Sequence, residues 1–363
     1  MERTSIEPSL DQKPTFSITW ESTMKCNLDC SYCSSHNNSI PHPKLDECLK
    51  TLDFFFEYAD LYLKVKNEEH NHVSLNIFGG ESLFHPDIVD ILNYAYTKHK
   101  ESGYKWSLGV NTVTNALVKT KVWKKLINYI DFFTVSYHSE STPEDQALIR
   151  ENILLLKKQN KSFHCAVLMH PKHWDNCVAM VEWCKENDIP HVARNLDHHP
   201  SDTRFLYDTE QVDWFNKVRG ITKSIEIVKK DEKINIGATG RGCCGGQTMS
   251  INQDYSCSTT YIPNNSFTDW SCGVNYFFVY VRQTTKEVFI NKDCKMNYEG
   301  EVGPIGTLDN TDLILSDLRE RLKQPTVSIT CKKSACWCGL CTPKANTKTT
   351  FDTIMKKYLK EVV

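Results

Sequence analysis

The chain has 363 residues, 40% hydrophobic and 24% charged, which is long enough for one large domain and a smaller one, each with its own core. Its net charge of -2 supplies no global field for a polyanion. Sixteen cysteines would suggest disulfides in a small secreted protein, but this chain is large and its Met1-Glu2-Arg3-Thr4 start lacks the apolar stretch of a signal peptide, so reduced, metal-binding thiols are expected. No apolar run approaches the length of about 20 residues needed to cross a bilayer, and a soluble cytoplasmic protein is expected.

In chain order, the first predicted strand is Phe16 to Trp20, and three cysteines follow it: Cys26, Cys30 and Cys33, spaced C-x-x-x-C-x-x-C. A cubane 4Fe-4S cluster normally takes four cysteines, so a loop offering three leaves one iron open to an external ligand. Half of a zinc site and a ferredoxin fragment are the other readings of such a triplet, but zinc ribbons favour paired C-x-x-C halves and no matching half lies nearby. Further strands are predicted at Val73 to Phe78, Trp106 to Asn111, Phe132 to Tyr137, Phe163 to Met169 and His191 to Asn195. Amphipathic helices lie between them. Leu45, Leu49, Leu52, Phe55, Phe56, Ala59 and Leu63 mark the first; Ile88, Ile91, Leu92 and Ala95 the second; Trp123, Leu126, Ile127 and Ile130 the third. Thr142-Pro143-Glu144 reads as the cap and first turn of the fourth. Six β-α units imply an α/β fold with a parallel sheet curled into a partial (β/α)6 TIM-like barrel, whose strand C-termini carry the chemistry. Lone cysteines such as Cys48, Cys165, Cys177 and Cys184 sit within these elements and read as core.

With its strand-end motifs, the triplet resembles the signature of the radical S-adenosylmethionine (SAM) superfamily. Gly79-Gly80-Glu81 resembles the family's Gly-Gly-Glu, which lines the site of the methionine amino group: glycines let backbone approach a ligand, and Glu81 can accept from an ammonium. Thr114-Asn115-Ala116 is similar to the family's Thr-Asn-Gly, with alanine in place of glycine. Ser136 and His138 fall where a polar strand end approaches the ribose or methionine carboxylate. Leu168 lies in a run suited to an adenine-packing wall, and Tyr32 stands where the family's aromatic packs near the adenine. Each motif has a plainer reading as a turn or a core residue, and their order at successive strand ends is what joins them. The family's second glycine-rich ribose motif is not evident, and Ser82 replaces the proline that usually follows Gly-Gly-Glu. The resemblance implies a SAM-binding 4Fe-4S cluster on Cys26, Cys30 and Cys33, reductive cleavage of SAM to a 5′-deoxyadenosyl radical, and an external electron donor such as flavodoxin or ferredoxin.

From Gly237 onward helical periodicity fades and nine of the sixteen cysteines appear. A predicted hairpin, Tyr276 to Val281 with Glu287 to Ile290, is flanked by Cys272 and Cys294; Gly303-Pro304-Ile305-Gly306 and a late knot, Cys331, Cys336, Cys338 and Cys341, follow. These features resemble the auxiliary-cluster extensions called SPASM or twitch, with a spacing that departs from the full SPASM pattern. Auxiliary ligands are expected to be Cys272, Cys294, Cys338 and Cys341, with Cys331 and Cys336 as alternatives; Cys243, Cys244 and Cys257 could complete a second cluster. A zinc knot fits the final C-x-x-C equally well. The expected organisation is an N-terminal segment at 1–14, the barrel at 15–236, the auxiliary domain at 237–345 and a C-terminal helix at 346–363.

Extensions of this type imply a peptide or protein side chain as substrate. The barrel is expected to begin within about 15 residues of the start, with no domain-sized leader-binding prefix ahead of it, an expectation that weakens the peptide reading. Rearrangement or oxidation of a nucleoside, modified base or other small molecule is the alternative, and a non-catalytic iron-sulfur or zinc protein is the alternative of another class. Candidate catalytic residues are His138, Arg194 and Cys165, the last as a hydrogen-atom donor near the barrel mouth; Asp197-His198-His199-Pro200 could supply an acid or base. The lysine-rich end, with Lys344, Lys348, Lys356, Lys357 and Lys360, reads as a solvated helix face.

Overall fold

A computed structural model describes residues 5–6, 15–33, 36–65, 71–196, 205–218, 229–230, 233–234, 267–292, 294–332 and 342–359. The candidates Asp197 to Pro200, Cys243, Cys244, Cys257, Cys336, Cys338 and Cys341 lie outside these residues. So does Lys360.

Six strands, β1 (Thr15–Thr23), β2 (Asn71–Gly79), β3 (Trp106–Thr114), β4 (Phe132–His138), β5 (Ser162–Met169) and β6 (His191–Asn195), pair in parallel and in chain order. Between them run the helices α1 (Leu45–Lys64), α2 (Ile88–Glu101), α3 (Thr120–Leu126), α4 (Pro143–Lys158) and α5 (Trp174–Glu186). This is the β/α sheet of a partial barrel, and all six predicted strands are present. Several extend past their apolar runs, because ladder pairing satisfies the backbone of polar residues such as Thr112, which pairs with both Ile77 and Phe133, and Thr114, which pairs with Val135.

Alternation along each strand sends one set of side chains to the helices and the other to the concave face. Phe16, Ile18 and Trp20, with Val73, Leu75 and Ile77, are buried against the helices. On the concave face, Asn76 Nδ2 donates to Ser17 Oγ at 2.9 Å and Asn111 Nδ2 to Ser74 Oγ at 2.8 Å, a polar band across three strands.

Helix α1 is buried on more than its predicted stripe. Phe54, Tyr58 and Tyr62 are also covered, and the hydroxyls of Tyr58 and Tyr62 lie 2.9 and 3.3 Å from that of Tyr298. The predicted hairpin forms as β7 (Phe278–Arg282) and β8 (Glu287–Phe289), and β7 lies parallel to β1, Arg282 opposite Glu21, so the hairpin extends the barrel sheet at its first edge. Lys344 departs from the expected solvated face: it is buried on the strand Lys344–Ala345, and its ammonium donates to Thr342. Lys348 opens the C-terminal helix Lys348–Met355. Among the described residues no helix is long and apolar enough to cross a membrane.

Asn152 of α4 is fully buried and donates through Nδ2 to the carbonyls of Ala116 (2.9 Å) and Val118 (2.8 Å), pinning the loop after β3. Asn152→Ala strands two buried carbonyls and is expected to destabilise the fold by about 2–4 kcal/mol, read as a lowered urea midpoint in the apo protein.

Candidate active site

The cysteine loop leaves the C-terminal end of β1 and is seated on the end of β2. Gly80 N–H donates to Thr23 O (2.8 Å) and Glu81 N–H to Lys25 O (2.7 Å). A Cβ on Gly79 would lie 2.1 Å from Thr23 O, and one on Gly80 would lie 2.3 Å from Lys25 O. Contacts that short require the backbone to move, so both positions exclude any side chain.

Glu81 is buried at the centre of this junction. Its Oε1 accepts from Leu83 N–H (3.0 Å) and the Thr114 hydroxyl (2.9 Å), and its Oε2 from Asn115 N–H (2.6 Å). One further acceptor position remains on the carboxylate, the one an ammonium could use. Burial pushes its carboxyl up to about 7, against three hydrogen bonds that favour the ionised form. Asn115 carries the connection back to the loop, donating through Nδ2 to Asn27 Oδ1 at 2.7 Å, while Asn27 Nδ2 donates to Leu117 O at 2.9 Å. Ala116, where the resembling motif has glycine, sits at φ 59°. This left-handed conformation costs an alanine roughly 1–2 kcal/mol. The Asn152 bond to its carbonyl and a 3.0 Å bond from its N–H to Thr114 Oγ1 hold it there.

Burial, first, and then a nearby carboxylate, Glu81 for Cys26 and Glu140 for Cys30, with smaller contributions from neighbouring cysteines, push Cys26 up to about 11 and Cys30 up to about 12. Leu28 N–H points at Cys26 Sγ from 3.4 Å. Buried thiols with this little compensation ionise only beside a cation, which is how a coordinating metal treats cysteine. The donor set therefore fits a three-cysteine iron-sulfur cluster.

Opposite the loop, His138 and Leu168 are register partners, as are Leu168 and Arg194, so three candidates stand in one row at the ends of β4, β5 and β6. Arg194 is exposed. His138 Nδ1 lies 2.6 Å from the Tyr32 hydroxyl and 3.4 Å from Cys30 Sγ, and its ring stacks on Tyr32 with centroids 5.9 Å apart. Burial pushes its imidazole down to about 4, so at neutral pH the ring is uncharged and shares a hydrogen bond with the tyrosine hydroxyl. Leu168 packs on the small apolar cluster of Cys30, Tyr32, Leu196 and Phe205. Ser136 is half-buried on the concave face, paired with Ala166. Cys165 is a correction: it points to the helices, fully buried and hydrogen-bonded with Cys184, away from the barrel mouth.

On the other flank of the mouth the sequence reading missed a cluster from the hairpin. The Tyr280 hydroxyl donates to Glu21 Oε2 (2.6 Å) and accepts from Arg282 Nε (2.9 Å), and its ring stacks against Phe78 and Phe289 at 6.2 and 5.7 Å. No local motif marks these residues; only the pairing of β7 with β1 brings them together. Farther away, Cys272 and Cys294 share one apolar cluster with Val274, Ile290, Tyr298 and Ile329, while Cys331 packs beside Phe267 and Trp270.

No family model and no curated protein matches the chain. Solved structures do resemble it. Hexahistidine-tagged anSMEcpe with bound AdoMet aligns at TM-score 0.43 and 18% identity, over 56% of this chain and 59% of that one. Native anSMEcpe with bound AdoMet aligns at 0.48 and 14% identity over 84% and 81%. The same protein with AdoMet and Cp18Cys peptide aligns at 0.47 and 14% over 85% and 82%.

Two outcomes follow from the junction. Gly80→Ala is expected to cost about 1–3 kcal/mol in the apo protein, measured by urea unfolding, and to lose most iron uptake on reconstitution. Because the folded Glu81 carboxyl holds its proton more tightly than an unfolded one, its stabilisation is full below its ordinary value of 4.5 and is lost as pH rises through about 7. Over that span the apo protein is expected to lose about 3 kcal/mol, and Glu81→Gln to flatten the slope. A slope unchanged in Glu81→Gln would show that another group carries it.

Proposed function

We propose that this chain is a radical SAM enzyme that cleaves SAM reductively to a 5′-deoxyadenosyl radical and abstracts hydrogen from a carbon of a peptide or protein side chain. The observation that carries the reading is the seating of Cys26, Cys30 and Cys33 on Gly79-Gly80 at the C-terminal rim of a six-stranded β/α sheet. A cluster bound there would supply the electron that breaks the sulfonium bond. The protein's own residues do the rest. Cys26, Cys30 and Cys33 hold the cluster, and the open acceptor position on Glu81 orients an ammonium. Asn115 fixes the loop through Asn27. Tyr32, Leu168 and Leu196 offer an apolar wall beside it, and Ser136 a polar group on the same face. The shared packing of Cys272 and Cys294 supports an auxiliary cluster, and with it the peptide or protein substrate. The electron comes from an external donor such as flavodoxin or ferredoxin.

Anaerobic reconstitution tests this directly. The wild-type protein is expected to take up iron and sulfide and, with a strong reductant, to convert SAM to 5′-deoxyadenosine. Cys30→Ala is expected to lose that product by at least about 100-fold, since a fixed-site cofactor missing one ligand forfeits several kcal/mol of transition-state positioning. Product formation equal in the two proteins would end the reading.

A further inference from the structure

Ser31 lies inside the cysteine loop, between Cys30 and Cys33, and is held by one side chain from across the barrel. Its N–H donates to Glu140 Oε2 at 2.8 Å and its hydroxyl to Glu140 Oε1 at 2.6 Å. Glu140 follows β4, in a turn closed by Ser141, whose N–H and hydroxyl both donate to His138 O at 3.1 and 2.6 Å. Behind the carboxylate stands His170, which is 3% exposed and whose Nε2 faces Oε1 at 3.7 Å.

Glu140, His170 and His173 offer ligand atoms within 4.8 Å of one another, the spacing of a cation site. The tautomer argues otherwise. His170 Nδ1 accepts from Lys172 N–H at 3.1 Å, which leaves the ring proton on Nε2, the atom turned toward Glu140. A cation on Nε2 would need that proton gone and the Lys172 bond broken. The group is better described as a buried imidazole standing beside the carboxylate.

We propose that Glu140 is a positioning residue for the cysteine loop: it brackets Ser31 through both carboxylate oxygens and stands as a fixed negative charge that lowers the reduction potential of a cluster bound there. The proposal rests on the radical SAM reading. Two effects act in the same direction. A nearby anion disfavours the added electron, and a Ser31 N–H committed to a carboxylate is withheld from sulfur, where donation would raise the potential. Ser31 directly follows Cys30 in the chain, so the carboxylate that brackets it stands one residue from a cluster ligand.

Three variants separate bracket from charge. Glu140→Gln keeps an acceptor for the Ser31 N–H and removes the charge; it is expected to load iron as the wild type does, with a midpoint potential shifted positive in anaerobic redox titration. Ser31→Ala keeps the charge and removes one bond, and its midpoint is expected to stay within error of wild type. Glu140→Ala loses both, with a lower iron content and, in the apo protein, exchange of the Ser31 amide faster by about tenfold or more, the factor that one charge-assisted hydrogen bond is worth. A fully loaded Glu140→Gln at the wild-type midpoint overturns the charge effect, and unchanged Ser31 exchange in Glu140→Ala overturns the bracket. A wild-type protein that takes up no iron ends both the radical SAM reading and the charge effect, while the exchange measurement still decides the bracket.

Discussion

The site depends on two missing side chains. With nothing beyond Cα at Gly79 and Gly80, the chain leaving β1 comes into direct backbone contact with the end of β2, and the two segments exchange hydrogen bonds that no bulkier residue would permit. Everything above that contact is built on it. Glu81, placed next in sequence, turns inward and ties the end of β2 to Thr114 and Asn115. Asn115 reaches on to Asn27, inside the cysteine loop. The loop, rooted at the end of β1, is thus gripped from the ends of β2 and β3, and Glu140 adds a third grip from the turn after β4. A cluster ligand set needs such convergence, because thiols on an unsupported loop would give up binding energy to the ordering of the chain.

The parallel core was legible because its signals are local. Runs such as Val73 to Phe78 and Phe163 to Met169 are bounded and apolar, and helices such as α4 announce themselves at Thr142 and Pro143, whose cap hydrogen bond forms as the residues suggest. The cysteine triplet and Gly-Gly-Glu were legible for the same reason: their chemistry lies within a few residues. The unreadable parts are those whose meaning is set by distant partners. Glu140 looks like an ordinary loop acid until the fold brings it 2.8 Å from Ser31. Tyr58 and Tyr62 broke the apolar stripe of α1 because they answer to Tyr298, more than 200 residues later. Cys165 was read correctly as core and wrongly as a mouth residue: alternation along β5 sends it to the helices, while Leu168 falls on the concave face.

The C-terminal part of the chain contributes to the barrel rim as well as to the apolar cluster that holds Cys272 and Cys294. Tyr280 and Arg282 reach the concave face through the hairpin and engage Glu21. The mouth is therefore composed of two regions of the chain with different jobs. The cysteine side carries loop, carboxylate and imidazole; the hairpin side carries a stacked aromatic set with a paired acid and base.

The parallel pairing of β7 with β1 also has a consequence for how the molecule is made. During synthesis β1 emerges first, yet its outer neighbour, Phe278–Arg282, leaves the ribosome some 260 residues later. Until then the first strand presents a row of unpaired amides and carbonyls, the kind of edge that invites pairing between chains. A contact this remote in sequence also closes late, since a long loop must be gathered before it forms. The nascent barrel is thus an aggregation-exposed intermediate until the hairpin arrives, and truncation before residue 278 would leave that edge open permanently.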